Sequence, residues 1–201
     1  RGFLMIDQLL RFLQNKYFLS ILGILFAVIL IFNIANYFSE RSKEQDFFQF
    51  IKLGELISSD ASISQIEESE NWEFRNFGYS LLSKSIVAKK ALDQENYIEA
   101  SRLYREIINS LKSSNTDEST KLILLDQYLS NYLRVLIQLE DFETGSLMIK
   151  ESDNESVVFF EVAGDFYSHF NESVVANEFY DKAINLAEDE ANKNILKLKK
   201  L

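Results

Sequence analysis

The clearest pattern in the chain is one long uncharged apolar run, followed by shorter apolar runs with helical spacing. Residues 17–38 carry no charged side chain. As an α-helix this run spans roughly 33 Å, close to the roughly 30 Å of hydrocarbon in a bilayer. Tyr17, Tyr37 and Phe38 lie at its ends, where aromatic rings favour the boundary between water and lipid. We therefore expect residues 17–38 to form an uncleaved signal anchor in membrane lipid; the alternative is a buried core helix.

The short segment before this run predicts its orientation. Residues 1–16 contain the basic residues Arg1, Arg11 and Lys16 against the single acidic residue Asp7. Because positively charged flanks tend to stay in the cytoplasm, residues 1–16 are expected to be a short cytoplasmic flank. The large C-terminal part is then expected on the other side of the membrane.

A linker helix is predicted directly after the anchor, over residues 39–60. Phe47, Phe50, Ile51, Gly54 and Ile57 fall at spacings of three and four, which predicts one apolar stripe along a helix. The polar residues 58–60 end this pattern.

The remainder of the chain, residues 61–201, is predicted to consist of helical hairpins. Apolar runs with helical spacing are separated by short polar turns at residues 94–96, 113–116, 140–141, 153–154 and 171–172. The alternating pattern of β-strands is absent, and the chain has no proline. The predicted fold class is therefore all-α.

The spacing of small and aromatic residues predicts a repeat. Gly164, Tyr167, Ala176, Tyr180 and Ala183 have successive offsets of 3, 9, 4 and 3. These offsets match a tetratricopeptide repeat (TPR) unit, in which small residues let two helices cross closely and aromatic residues fill the groove between them. The alternative is an irregular helical bundle whose small residues match by chance.

Two earlier units carry related residues at the same offsets. The first uses Ala88, Ala91, Ala100, Tyr104 and Ile107, and the second, degenerate unit uses Leu133, Leu136, Gly145, Ile149 and Ser152. The three units start near residues 81, 126 and 157, so their spacing is 45 and 31 residues. The positions expected to pack the repeats are Ala88, Ala100, Tyr104, Gly145, Gly164, Tyr167, Ala176, Tyr180 and Ala183. The predicted architecture is thus a single N-terminal transmembrane helix followed by a TPR-like α-hairpin solenoid.

Composition narrows the function further. The chain has 31 acidic and 21 basic residues, one histidine and no cysteine. An acidic chain does not favour nucleic acid, because phosphate contacts need clustered Lys and Arg. The absence of cysteine and the single histidine exclude thiolate and multi-histidine metal sites, and no catalytic motif is present. We therefore expect a protein that is not an enzyme and that holds no metal and no cofactor.

The segment 159–165, together with Ala176 and residues 180–184, carries the resemblance to a known family. With the basic flank, the single span and the degenerate TPR domain, it resembles the YfgM-like family, an ancillary subunit of the SecYEG translocon. The resemblance implies a bacterial inner-membrane protein with its C-terminal domain in the periplasm. It further implies a non-catalytic scaffold that binds the translocon in the membrane, and chaperones or unfolded clients outside it.

Two other functions share this architecture. One is a structural subunit of another membrane complex, held by the anchor and the stacked helices. The other is a TPR-type import receptor of an organelle membrane, whose helical domain would face the cytosol. The oligomeric state is not predicted by the sequence.

A partner groove is predicted from the repeat register. The concave surface of a TPR-like stack is lined by the first helix of each unit, and the register places Lys89, Arg134, Asp165 and His169 on it. Our hypothesis is that Lys89 and Arg134 pair with a carboxylate of a partner peptide, either an acidic side chain or its C-terminus. The alternative is a set of solvated surface charges.

Overall fold

A computed structural model describes residues 40–59, 61–69 and 72–200 of the chain. In these residues the secondary structure is helical and contains no strand, which confirms the all-α prediction for this part of the chain. The predicted flank (1–16) and anchor (17–38) lie outside the described residues. Within the described ranges, none of the helices combines the length and the hydropathy that a membrane crossing requires.

The described residues form nine helices in chain order. Helix α1 covers residues 40–58. The others are α2 (Ile63–Ser69), α3 (Phe77–Asp93), α4 (Tyr97–Ser113), α5 (Glu118–Gln138), α6 (Phe142–Lys150), α7 (Val157–His169), α8 (Ser173–Leu186) and α9 (Glu190–Lys199). Pairs α3–α4, α5–α6 and α7–α8 are helical hairpins, and we name them the first, second and third hairpin.

Helix α1 is fastened to the start of the first hairpin by a buried carboxylate. Asp46 is only 2% exposed, and its two oxygens accept the backbone N–H groups of Arg75 (3.2 Å) and Asn76 (2.6 Å). Asn76 in turn caps α3 with its own side chain. Because a buried carboxylate is costly unless it is hydrogen-bonded, this contact fixes where α1 meets α3.

The buried face of α1 is not the predicted stripe. Phe47 and Ile51, which the spacing assigns to that stripe, are each 46% exposed, whereas Leu53 is buried at 1%. The stripe prediction is therefore wrong at these two positions. The physical reason is that Asp46 occupies the inward face through its backbone contacts, which hydrophobic periodicity does not detect.

The three hairpins share one turn geometry. In each turn one residue that is not glycine has a left-handed backbone: Glu95, Glu140 and Asn171, with φ of 57°, 54° and 61°. The residue after it donates its N–H to a carbonyl five residues earlier: Asn96 to Ala91 (2.8 Å), Asp141 to Leu136 (3.0 Å) and Glu172 to Tyr167 (2.9 Å). This is the Schellman ending of an α-helix. The left-handed residues are separated by 45 and 31 positions, the same spacing as the sequence units.

The hairpins stack so that each new first helix lies against the preceding hairpin. Helix α5 packs on α4, α7 packs on α5, and α9 packs on α8. One buried apolar cluster runs from Leu53 in α1 to Phe166 in α7. This arrangement is compatible with TPR-like hairpins.

Two glycines mark the closest helix contacts. A Cβ on Gly145 of α6 would lie 2.2 Å from ring atoms of Phe166, and a Cβ on Gly164 of α7 would lie 2.5 Å from Tyr180. Any larger residue would force these buried rings to move. Glycine therefore sets how closely α6 approaches α7 and how closely α7 approaches α8.

Candidate binding groove

The four residues predicted for a concave groove each contact another side chain of this protein. On α3, the Lys89 ammonium lies 3.2 Å from Asp93. On α5, Arg134 donates to Asn131 (3.1 Å). Those contacts lie within single helices on exposed surface.

The other two predicted groove residues, both on α7, join different helices. Nε2 of His169 lies 3.0 Å from a carboxylate oxygen of Glu140 in the second hairpin's turn. Asp165 accepts hydrogen bonds from the Tyr180 hydroxyl (2.9 Å) and the Lys199 ammonium (2.7 Å). Burial and the bond to Asp165 raise the pKa of Tyr180. The Asp165 carboxylate therefore connects α7, α8 and α9.

The positions predicted to pack the repeats lie mainly in the interior. Ala88, Ala100, Ala176 and Ala183 have no exposed surface. Tyr104 and Tyr180 are 5% and 2% exposed, and Gly145 and Gly164 are buried. Tyr167 differs, because it is only half-buried.

The surface beside Tyr167 is a groove between the second and third hairpins. A cavity of about 790 Å³ opens between α6, the segment 151–156, α7 and α8. Its apolar surface comes from Leu147, Phe160, Tyr167 and Phe179. We call this cavity the aromatic groove.

The floor of the aromatic groove is a cluster of three aromatic rings. The rings of Tyr167 and Phe179 lie parallel at 5.5 Å, and Phe160 lies 6.1 Å from Phe179. The Lys182 ammonium lies 4.8 Å from the centre of the Phe179 ring, a cation–π contact. Burial, with a smaller contribution from Glu172, raises the pKa of Tyr167 above its ordinary value.

Charged side chains of both signs surround this floor. The carboxylates are Glu143, Asp153 and Glu155, and the cations are Lys150 and Lys182. Neither lysine forms an ion pair with another residue in the part of the chain that the structure describes. The groove therefore offers apolar surface together with charges that are available to a partner.

The segment 151–156 is held in place by one carboxylate of α5. Asp126 accepts a hydrogen bond from the Asn154 amide (2.9 Å) and a short one from the Ser156 hydroxyl. Ser156 also caps α7 by accepting the N–H of Phe159 (2.9 Å). This edge of the aromatic groove is therefore fixed by the second hairpin.

A second cavity of about 340 Å³ lies on the other side of the same segment, between α5 and α6. Leu122, Leu125, Leu129 and Met148 supply its apolar surface. Ser152, Asp153 and Asn154 line both cavities. We call this second cavity the leucine cavity.

Sequence reasoning missed most of the aromatic groove. Tyr167 was expected only to pack the repeat, and Phe160, Phe179 and Lys182 were not singled out as binding residues. A signal does exist, because Phe160 and Tyr167 are seven residues apart and so lie on one face of α7. It becomes informative only once α6 is known to leave that face uncovered.

Comparisons with known proteins identify no relative for this chain. No family model matches it, and neither a curated protein nor a solved structure matches it. In the described residues no three His, Asp or Glu side chains form a group that could hold a metal ion. The function is therefore argued from the groove and from the family resemblance of the sequence.

Proposed function

We propose that this chain is a non-catalytic, membrane-anchored protein-interaction module. In this proposal it is an ancillary subunit of the bacterial secretion translocon and links the translocon to periplasmic chaperones or substrates. The observation that carries the binding role is the aromatic groove, in which the rings of Phe160, Tyr167 and Phe179 form one continuous surface.

The chemistry of the groove suits a polypeptide partner. Aromatic side chains are enriched where proteins bind one another, since they bury a large area with little loss of conformational freedom. The half-buried rings of Phe160, Tyr167 and Phe179 provide such an area. Lys150 and Asp153 at the edge provide charges that a peptide backbone or side chain can pair with.

The groove also has the rigidity that binding requires. Its two long walls are helices packed on the core by Gly145 and Gly164, and its third edge is held by Asp126. A preformed site loses less conformational entropy on binding than a flexible one. This supports recognition of a segment that is itself flexible, such as an emerging or unfolded chain.

The membrane part of the proposal is supported by the sequence alone. Residues 17–38 are uncharged, and the basic flank favours an N-terminus in the cytoplasm. The groove would then lie in the periplasm, next to the exit of the translocon. The resemblance to the YfgM-like family supports this location.

Site-specific photo-cross-linking in intact cells tests the proposal. A photoreactive phenylalanine analogue replaces Leu147, a groove residue that is 54% exposed, or Leu25 in the anchor run. We expect the Leu25 probe to capture the translocon pore subunit and the Leu147 probe to capture periplasmic chaperones or secreted chains.

The control probe replaces Ile98, which is 76% exposed on α4 and lines neither groove cavity. It should capture neither class of protein. A stable adduct between the anchor and another membrane complex, without the pore subunit, would contradict the translocon assignment. Capture of the same proteins at Ile98 as at Leu147 would contradict the groove as the binding surface.

A further inference from the structure

Two apolar cavities lie on either side of a single acidic segment. The aromatic groove and the leucine cavity share Ser152, Asp153 and Asn154 as a common wall. In the segment that contains this wall, Glu151, Asp153 and Glu155 alternate with the half-buried residues 152 and 154, and all three carboxylate residues are exposed. Asp153 lines both cavities, Glu151 only the leucine cavity and Glu155 only the aromatic groove. Apolar side chains in the two cavities therefore lie on either side of this acidic segment.

The three carboxylates have no neutralising partner in the described part of the chain. None of Glu151, Asp153 and Glu155 forms an ion pair there. In the leucine cavity, by contrast, Lys121 lies 3.7 Å from Glu118. Three acidic residues thus lie within five positions at the wall, whereas the lysines that line the two cavities, Lys112, Lys121, Lys150 and Lys182, belong to the surrounding helices α4, α5, α6 and α8.

We propose that the two cavities are one bipartite site for a basic, apolar polypeptide segment. An apolar side chain enters each cavity, and a Lys or Arg between them crosses the wall and pairs with its carboxylates. This inference rests on the proposed protein-binding function and names the class of segment that is bound.

Charge complementarity favours a basic, apolar segment over the other possible occupants of the two cavities. A segment with an acidic residue at the centre would place like charges together at the wall, which is unfavourable. A second copy of this acidic chain or an anionic lipid surface would meet the same repulsion. A neutral apolar segment would leave the exposed carboxylates without a partner.

The rigidity of the wall makes the pairing specific. Asp126 holds Asn154 and Ser156, the residues that flank Glu155. The backbone that carries Glu155 is therefore held in place before a partner arrives. The affinity for a peptide should consequently depend on the position of its basic residue, and not only on the net charge of the peptide.

Synthetic peptides test the inference with the full chain in detergent micelles. Two fluorescent peptides contain two leucines that flank either a central Lys or a central Glu, and a third carries the Lys at one end. We expect the central-Lys peptide to bind about tenfold more tightly than the central-Glu peptide at low salt, with a smaller ratio at high salt. The end-Lys peptide should bind less tightly than the central-Lys peptide.

A neutralised variant provides the matched test of the wall. The triple change Glu151→Gln, Asp153→Asn and Glu155→Gln should reduce the Lys-to-Glu ratio to about threefold or less. The control variant changes the net charge equally at exposed positions outside both cavities, with Glu44→Gln, Glu55→Gln and Glu188→Gln. This control variant should keep most of the Lys-to-Glu affinity ratio.

Equal binding of the central-Lys and central-Glu peptides, or no binding of either, would overturn the inference. An equal loss of the Lys-to-Glu affinity ratio in both triple variants would also overturn the inference, because the effect would then arise from net charge alone. These outcomes are distinct from failure of the proposed function. Translocon capture by the Leu25 probe does not depend on peptide charge, and peptide selection does not depend on the translocon.

Discussion

The second and third hairpins use the same turn but differ in how far their second helix extends. Helix α8 has 14 residues, whereas α6 has only 9. Along the third hairpin, α8 covers α7, with Ala176, Tyr180 and Ala183 buried. In the second hairpin, α6 ends at Lys150 and is followed by the irregular segment 151–156.

The difference shows that the groove lies where the degenerate second unit meets the regular third unit. The second unit contributes the short helix α6 and the segment 151–156 to the lining. The third unit contributes the aromatic floor, because Phe160 and Tyr167 of α7 lie against Phe179 of α8 and stay half-buried. The candidate site is therefore a junction between two unlike units.

The largest effects are expected where glycine sets the helix contacts of the two hairpins. Gly145→Ala should destabilise the fold by about 2–3 kcal/mol, because its Cβ would lie 2.2 Å from the fully buried Phe166 ring. Gly164→Ala should cost somewhat less, because the nearest atom of Tyr180 lies at 2.5 Å. Urea unfolding followed by circular dichroism measures both values.

Gly54→Ala is the matched control for these two variants. Nothing lies within 4 Å of the Cβ that alanine would add at this helical position. It should therefore stabilise the protein by up to about 1 kcal/mol, because glycine is a poor helix former. If all three variants unfolded at the same urea concentration, the close contacts would not limit the two hairpins.

An intermediate effect is expected at the segment that replaces the missing part of α6. Asp126→Ala removes the acceptor for Asn154 and Ser156 and should cost about 1.5 kcal/mol. We expect faster hydrogen–deuterium exchange in residues 151–156 and weaker peptide binding. Asp126→Asn, which keeps an acceptor oxygen, should show a smaller change. Unchanged exchange in Asp126→Ala would mean that other contacts fix the segment.

A glycine substitution in the turn that the hairpins share should stabilise the protein by about 0.5–1 kcal/mol. Glu140 has a left-handed backbone that glycine adopts without strain, so Glu140→Gly should raise the melting temperature. The exposed contact between Glu140 and His169 contributes little against this gain. Asn171→Gly in the third hairpin should raise the free energy of unfolding by less, because Asn tolerates the left-handed conformation better than Glu.

The control for the turn is Glu143→Gly, in the first turn of α6. Its backbone is helical, so glycine there should destabilise the protein. A lower melting temperature for Glu140→Gly than for the natural sequence would show that the left-handed turn is not strained.

The smallest effect concerns how the third hairpin holds α9, and it appears only at high pH. Burial alone would lower the pKa of Lys199, but its hydrogen bonds to Asp165 and Glu161 outweigh burial and raise it. Its stabilising contribution is therefore fully present below the pKa of an unfolded lysine, near 10.4, and is lost as pH rises through the higher folded pKa. The effect should stay below about 1 kcal/mol, since the pair is partly exposed.

The variant Lys199→Gln tests this dependence. Its melting temperature should be lower than that of the natural sequence at pH 8, and the difference should shrink as pH rises past the pKa of an unfolded lysine, near 10.4. A difference that stays constant across this rise in pH would exclude the charged form of Lys199 as its source.

Much of the scaffold could be read from the sequence, because its signals are local. The polar turns at residues 94–96, 140–141 and 171–172 lie at the three hairpin turns. The small residues Gly164, Ala176 and Ala183 are buried between helices, as the repeat offsets indicate. Short-range spacing determines both features, so a single sequence is sufficient to find them.

The candidate site could not be predicted from local spacing, because it depends on which part of α7 is left uncovered by the neighbouring helices. Phe160 is half-buried against Phe179 of α8 and lines the groove, and helical spacing alone does not show which neighbouring helix covers it. The inward face of α1 was also misassigned, since Asp46 is buried by backbone contacts about 30 residues away. Both errors come from long-range contacts that periodicity does not contain.

The early end of α6 makes the depth of the aromatic groove adjustable by insertion. The buried residues of α6, Gly145 and Ile149, both precede Lys150. An in-frame insertion of three or four codons after Lys150 would add about one turn, or roughly 5 Å of helix, beyond the last buried residue of α6. During evolution, the range of segments that this surface accepts could therefore change through small insertions and deletions, with no substitution in the hydrophobic interior.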